Sequence, residues 1–208
     1  MSMADSMSRR RRRRLSPSPF ADRPAGGKLV LHVGCGAPDP AKVHPRFRGP
    51  EWQEVRLDID PDVEPHIVGS IVDMGAVKRS SVDAVWSSHN IEHVYAHEVP
   101  VVLREFLRVL RPGGELLIST PDLQKVAECV ATGNLEGTFY RAPVGPVAAL
   151  DVMFGHGPAI ARGNEYMAHR TGFTAETLAR KLSQAGFEDV EVTRKPVALL
   201  WAAARKPG

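Results

Sequence analysis

Leu29-Val30-Leu31-His32-Val33 is apolar at four of five positions and stops at Gly34. A strand with one wet face alternates polar and apolar residues. A run this continuous needs cover on both faces, which is the condition of a central strand in a parallel sheet. Further strands are predicted at residues 54–59, 66–69 (a short one), 82–87 and 115–119, the last preceded by the breaker Pro112-Gly113-Gly114. Between the fourth and fifth, residues 97–110 place Val99, Val102, Leu103, Phe106, Val109 and Leu110 at helical spacing, with Pro100 in the first turn, where its missing N–H is harmless. A second helix is predicted at 174–185, with Thr174 as N-cap, Phe173 and Leu178 as a hydrophobic staple and Gly186 as the stop. Strands at 190–193 and 197–204 follow, joined through Lys195-Pro196 too briefly for a crossover, hence antiparallel. The pattern predicts an α/β, Rossmann-like, mostly parallel seven-stranded sheet with an antiparallel C-terminal hairpin strand. The first two crossovers, 37–53 and 61–65, are proline-rich or very short, so their helices must be stunted.

The net charge of +3 is carried by a terminus: removing the six arginines at residues 9–14 takes the balance to −3. Residues 1–26 therefore read as a disordered basic arm, and 27–208 as one domain with an insertion, or lid, at 132–170. Through the arm alone, nucleic acid is a possible partner by counterion release. No apolar run reaches 18 residues and the arginines are not followed by an apolar stretch, so no membrane span or signal peptide is expected, and a cytoplasmic location is. Two cysteines, Cys35 and Cys129, give neither a disulfide framework nor a metal-binding pair; no metal is expected. No pattern assigns an oligomeric state.

Gly34-Cys35-Gly36 after the first strand lets the backbone turn sharply and approach a ligand closely. The third glycine of the dinucleotide pattern is missing, and Ala37-Pro38 follows, which argues against a pyrophosphate seat and for a ribose-bearing ligand without phosphate. Asp58, 24 residues beyond Gly34 and at the end of the second strand, has the type and place of a ribose-binding carboxylate. Asp73-Met74 follows the third strand, positioned to meet an adenine edge.

Taken in order, Val30 to Gly36, Leu57-Asp58-Ile59-Asp60-Pro61, residues 82–94, residues 107–123 and His169-Arg170-Thr171-Gly172-Phe173 resemble the class I S-adenosylmethionine (SAM)-dependent methyltransferases, particularly the small-molecule, type 11 branch. The resemblance covers about residues 28–205. It implies SAM as cofactor, S-adenosylhomocysteine as product and a small-molecule acceptor. By that resemblance Gly34, Cys35 and Gly36 line the methionine and ribose, Asp58 holds the ribose hydroxyls, Ile59 lies against adenine, Asp73 and Met74 read its edge, and the Ser87 carbonyl faces the SAM ammonium or methyl. His32 joins the cofactor set, although many members carry an acidic residue there.

His89-Asn90-Ile91-Glu92-His93 spells the inverted zinc-protease string, but it follows the fourth strand and lacks a long helix. In the methyltransferase reading His89 and His93 are the candidate general bases, since an unperturbed imidazole titrates near neutrality. The aromatics and histidines of 132–170 suggest a cover over the acceptor site. Tyr140, His156 and His169 are then substrate-side residues, with Asp122 a further candidate. The reaction expected is in-line transfer to an oxygen or nitrogen. Alternatives are an RNA or protein methyltransferase using the arginine arm, and a catalytically silent SAM-binding partner subunit.

Overall fold

The computed structural model describes residues 20, 26–142 and 145–208. The 1–26 arm and its arginines thus lie outside the described residues, apart from Phe20, which packs against the main core, and Gly26. One sheet of seven strands organises the chain. Its parallel strands are β1 (Lys28–Val33), β2 (Trp52–Asp58), β3 (Ile67–Val68), β4 (Val82–Ser88) and β5 (Leu110–Pro121). The closing hairpin, β8 (Glu188–Lys195) and β9 (Leu199–Arg205), adds β9 antiparallel to β5. The order β3-β2-β1-β4-β5-β9-β8 runs outward one way from β1 and returns to continue the other way from β4. That reversal opens a crevice at the carboxyl ends of β1 and β4, the place where such sheets bind ligands.

Alternation within the strands divides the core. Leu29, Leu31 and Val33 of β1, with Val85 of β4 and Leu116 and Ile118 of β5, face α1 (Val99–Val109) and α5 (Ala175–Gln184). Five side chains of α1, Phe106 among them, are buried on this face. The predicted Thr174 cap is present, its hydroxyl accepting from the Thr177 N–H at 3.2 Å. Helix α1 begins two residues later than the sequence suggests, because residues 95–98 form a turn closed by Glu98 Oε2 on the Tyr95 N–H.

The other face has little helical cover, as the short crossovers imply. Only 3-10 turns, Pro40–Lys42, Pro45–Phe47 and Pro61–Val63, stand where full helices would pack. Aromatic rings fill the deficit: Trp86 and Trp201 stack at 5.5 Å, His44 sits 5.0 Å from Trp201, and Phe47 meets Trp52 edge-on at 4.8 Å. The Trp86 indole N–H is satisfied by the Lys42 carbonyl at 2.9 Å, so the turn is pinned to the sheet.

The 132–170 segment is structured: a separate hairpin of β6 (Thr138–Ala142) and β7 (Gly145–Ala148), then α3 (Ala149–Phe154), α4 (Gly157–Ala161) and a 3-10 turn at Glu165–Met167. Helix α2 (Leu123–Ala131), which the sequence reading passed over, leads into it and packs with α3 through Val126, Ala149 and Val152. Among the described residues no helix is long and apolar enough to cross a membrane.

Candidate functional site

The crevice contains a cleft of about 300 Å³, lined from below by Gly34, Gly36, Asp58 and Ile59 and from beyond β3 by residues 69–72. Gly34 and Gly36 have φ of +61° and +59°, the left-handed region that side chains disfavour. A Cβ on Gly34 would fall 2.5 Å from the Asn90 side chain, so glycine is required for space as well as for conformation. Asp58 anchors the corner. One of its oxygens accepts from the Gly36 N–H at 2.7 Å and the other from the Asp60 N–H at 3.0 Å. Each carboxylate oxygen keeps a lone pair for a ligand hydroxyl. Arg56, itself buried, donates to the carbonyls of Gly36, Val63 and Glu64, which ties the glycine corner to the loop after β2. Ile59 is 43% exposed at the rim, an apolar surface for a flat ring.

Several residues assigned from the sequence lie elsewhere. His32 is turned to the opposite face of the sheet, beside Trp86, with Nδ1 2.6 Å from Glu54 Oε1; this replaces its expected place in the cofactor set. The Cys35 side chain is buried away from the cleft, and burial pushes its thiol up to about 11. Asp73-Met74 is likewise displaced. The Met74 side chain is in the core and its N–H is taken by Glu105 Oε2 at 3.0 Å, while exposed Asp73 binds the Gly75 N–H. Ile71 and Val72 line the cleft in their stead. Ser87 is fully buried, its hydroxyl without a partner, and does not line the cleft. Asp122 is corrected from a substrate residue to a structural one. It caps α2 through the Gln124 and Lys125 N–H groups and pairs with Arg194 at 2.6 Å.

A second cavity of about 470 Å³ opens beside the first, between the carboxyl end of β5, the β8–β9 turn and the lid. It brings together His89, Tyr140, His156 and His169, four of the residues expected near a reacting group. Burial, with the Asp151 charge nearby, raises the Tyr140 phenol above its ordinary value. At the turn, Val197 and Ala198 adopt φ of +59° and +56°, an uncommon strain for non-glycine residues and one that is concentrated at this rim.

The two spaces meet beside Ile91–His93, a single 3-10 turn instead of the long helix that an inverted zinc-protease string requires. His93 lines the first cleft, His169 the second and Met167 both. His89 sits at φ +47° and is half-exposed, with Nδ1 3.5 Å from Glu92 Oε1. Desolvation opposes its charged form, but Glu92 outweighs it and holds the His89 imidazole above its ordinary pKa. His169 goes the other way: burial is the largest influence and keeps it below.

Sequence reasoning missed Asn90, whose buried amide nitrogen has no partner and which overhangs Gly34 in the first cleft. It also missed that the lid closes both spaces. Asn164, Tyr166 and Arg170 line the first cleft, and Arg170 lies over the Tyr95 ring at 4.9 Å. No local signal marks these residues, since their roles follow only from where the lid lands.

Residues 31–118 match the sequence profile of a methyltransferase domain family. The methyltransferase GfsG of Streptomyces halstedii is 29% identical over 126 residues, 54% of this chain and 45% of that protein. The chain thus spans about half the length of the curated relative it matches. Among solved structures, the 1,6-didemethyltoxoflavin N1-methyltransferase of Burkholderia thailandensis, bound to its namesake compound and S-adenosylhomocysteine, aligns with TM-score 0.52 at 16% identity, covering 88% of this chain and 72% of that one. A SAM-dependent methyltransferase of Archaeoglobus fulgidus aligns with TM-score 0.56 at 14% identity, covering 87% of each chain. At such identities these likenesses establish the fold.

Proposed function

We propose that this chain, a class I SAM-dependent methyltransferase domain by its sequence family and its sheet, transfers a methyl group from SAM to an oxygen or nitrogen of a small-molecule acceptor. The observation that carries the reading is the adjacency of two cavities: one floored by a glycine corner and the Asp58 carboxylate, the other lined by three histidines and a tyrosine, with Met167 belonging to both.

SAM lies in the first cleft. Asp58 accepts from the ribose hydroxyls, Gly34 and Gly36 admit the nucleoside and methionine at close range, Ile59 and Val72 sandwich the adenine region, and the Asn90 amide donates to the methionine portion. The second cavity receives the acceptor between Tyr140, His156 and His169. SAM held in the first cleft would supply a sulfonium methyl group for in-line displacement by an acceptor lone pair, with the carbon–sulfur bonding pair left on the S-adenosylhomocysteine released. The cofactor supplies the reactivity, and the protein aligns the reactants and excludes water through the lid. A hydroxyl or ammonium acceptor must also lose a proton, and His89, half-exposed and at the mouth of the second cavity, is placed to pass it to solvent.

Calorimetric titration of the full chain with S-adenosylhomocysteine tests the reading: one saturable site is expected, and no binding at sub-millimolar ligand would reject it. Deleting residues 1–20 is expected to leave that binding and any small-molecule turnover unchanged. Loss of turnover on deletion would favour the alternative in which the arginine run holds an RNA or protein substrate.

A further inference from the structure

Glu92 is 1% exposed, in the turn between the two cavities. One oxygen, Oε2, accepts from the Thr120 hydroxyl at 3.0 Å. The other, Oε1, has no hydrogen-bond partner. A carboxyl oxygen removed from water needs a donor or a cation on its lone pairs. His89 stands 3.5 Å away, at ion-pair distance only, and its ring is more than half exposed.

Two other imidazoles close the space. One ligand atom from each of Glu92, His93 and His169 lies within 4.8 Å of the others. The tautomer of each ring follows from its partner. His93 Nδ1 is 3.1 Å from the Ala168 carbonyl and His169 Nδ1 is 2.9 Å from the Val152 carbonyl. A carbonyl oxygen only accepts, so Nδ1 carries the hydrogen in each ring and Nε2 of the neutral imidazole keeps a free lone pair. Metal-ligating histidines commonly donate their far ring nitrogen to a backbone carbonyl, which fixes the tautomer and the ring's orientation. The rings meet edge-to-face at 4.8 Å, and neither is engaged by a side-chain donor among the described residues.

We propose that Glu92, His93 and His169 bind a divalent first-row transition metal ion, zinc by ligand type, at the junction of the two cavities. Two imidazole nitrogens and one carboxylate oxygen are the ligand set of open, catalytic sites, which leave a position for a substrate oxygen. Bonds of about 2.0–2.2 Å set ligand atoms roughly 3.4 Å apart around a tetrahedral ion, so binding draws the trio together by about an ångström. His93 lines the first cleft and His169 the second, so an ion held by both would sit between the two spaces. The proposal rests on the methyltransferase reading for its purpose, which is to hold the oxygen of a hydroxyl or carboxylate acceptor in line and to lower its pKa. The ligand set itself does not depend on that reading.

The test uses the full, tag-free chain stripped with a chelator and titrated with Co(II) and Zn(II). One equivalent is expected to bind saturably, Co(II) with visible d–d absorption. His169→Ala and Glu92→Gln are expected to weaken binding at least about tenfold, while S-adenosylhomocysteine affinity stays within about threefold. Metal binding equal to wild type in both variants, or no saturable binding by wild type up to millimolar metal, overturns the proposal. Wild type also answers directly, so a variant that fails to fold does not obscure the result: Zn(II) should shift Nε2 of His93 and His169 in a long-range proton–nitrogen spectrum. Shifts confined to other histidines, or none, overturn it. A chain that binds S-adenosylhomocysteine but no metal rejects this site alone, and one that binds metal but no S-adenosylhomocysteine rejects the transferase reading alone.

Discussion

Asp58→Asn separates two roles that a single carboxylate holds here. Its oxygens already accept from Gly36 and Asp60 at 2.7 and 3.0 Å, so the residue shapes the corner before any ligand arrives. An asparagine keeps the volume but offers one neutral acceptor and turns an NH2 toward a backbone N–H. Charge-assisted bonds contribute about 1.5–3 kcal/mol each and neutral ones about 1. Stability should therefore fall by about 1–2 kcal/mol, read as a lower urea midpoint with unchanged slope. If two ribose hydroxyls donate to the same carboxylate, S-adenosylhomocysteine affinity should fall by about 2–3 kcal/mol beyond any effect of a loosened corner, or about 30- to 150-fold. A cycle isolates that part: the 2′,3′-dideoxy analogue, which has no ribose hydroxyls to donate, should bind wild type and variant within about threefold of each other. If the substitution weakens both compounds equally, the carboxylate is only scaffold and the ribose assignment is wrong.

Gly34→Ala should lose about 2 kcal/mol of stability and weaken S-adenosylhomocysteine, because the left-handed backbone costs about 1–2 kcal/mol and the new Cβ displaces Asn90; unchanged urea midpoint and affinity would refute this. Phe106→Ala, at the centre of α1 and fully buried, should cost about 3–5 kcal/mol in urea unfolding. The Arg108 guanidinium holds the Glu105 carboxyl below the ordinary carboxylate range. Its folded pKa is thus the lower one, and its stabilisation is present above the unfolded value and lost as pH falls through the folded value. Glu105→Gln should cost about 1–2 kcal/mol at pH 7 and progressively less as the solution is acidified, and a gap that does not change with pH would contradict this. Asp122→Ala should destabilise by about 1–3 kcal/mol through its cap and the Arg194 pair, yet leave S-adenosylhomocysteine affinity within about threefold.

The sheet was legible because each buried strand is written locally. Continuous β-branched runs, a glycine or proline at their ends and one amphipathic helix determine order and handedness with little help from distant residues. The same local logic puts Gly34, Gly36 and Asp58 where strands stop, and the structure has all three lining the first cleft. It failed at Asp73-Met74 for an identifiable reason. The β3 strand is only two residues long, so the chain turns back early, and Glu105 of α1, more than thirty residues away, captures the Met74 N–H. His32 was misassigned because a central strand buries both faces, and sequence alone does not say which face a given residue takes. Helix α2 was overlooked since its signal is a cap, Asp122, that was read as chemistry.

The junction between the cavities was the least legible part, and its composition explains why. His89, Glu92 and His93 are neighbours in sequence, and the spacing invites a reading in which the two histidines act together on one helical face. The 3-10 turn at Ile91–His93 and the left-handed backbone at His89 divide them instead. His89 lines the second cavity and His93 the first, and the partner that His93 meets is His169, placed by the carbonyl of Val152 in α3. The lid therefore does more than cover an acceptor. Because the first two crossovers are reduced to 3-10 turns, no long helix among the described residues walls the first cleft, and residues 164–170 supply that wall together with the third member of the Glu92 cluster. Loosening the lid should then disturb both spaces at once. Gly155→Ala, whose Cβ would fall 2.0 Å from the Met167 carbonyl, is expected to weaken S-adenosylhomocysteine and Co(II) binding together while leaving the α1 face intact, as read by near-native urea slope. Retention of either affinity at the wild-type level would show that the lid does not couple the two cavities.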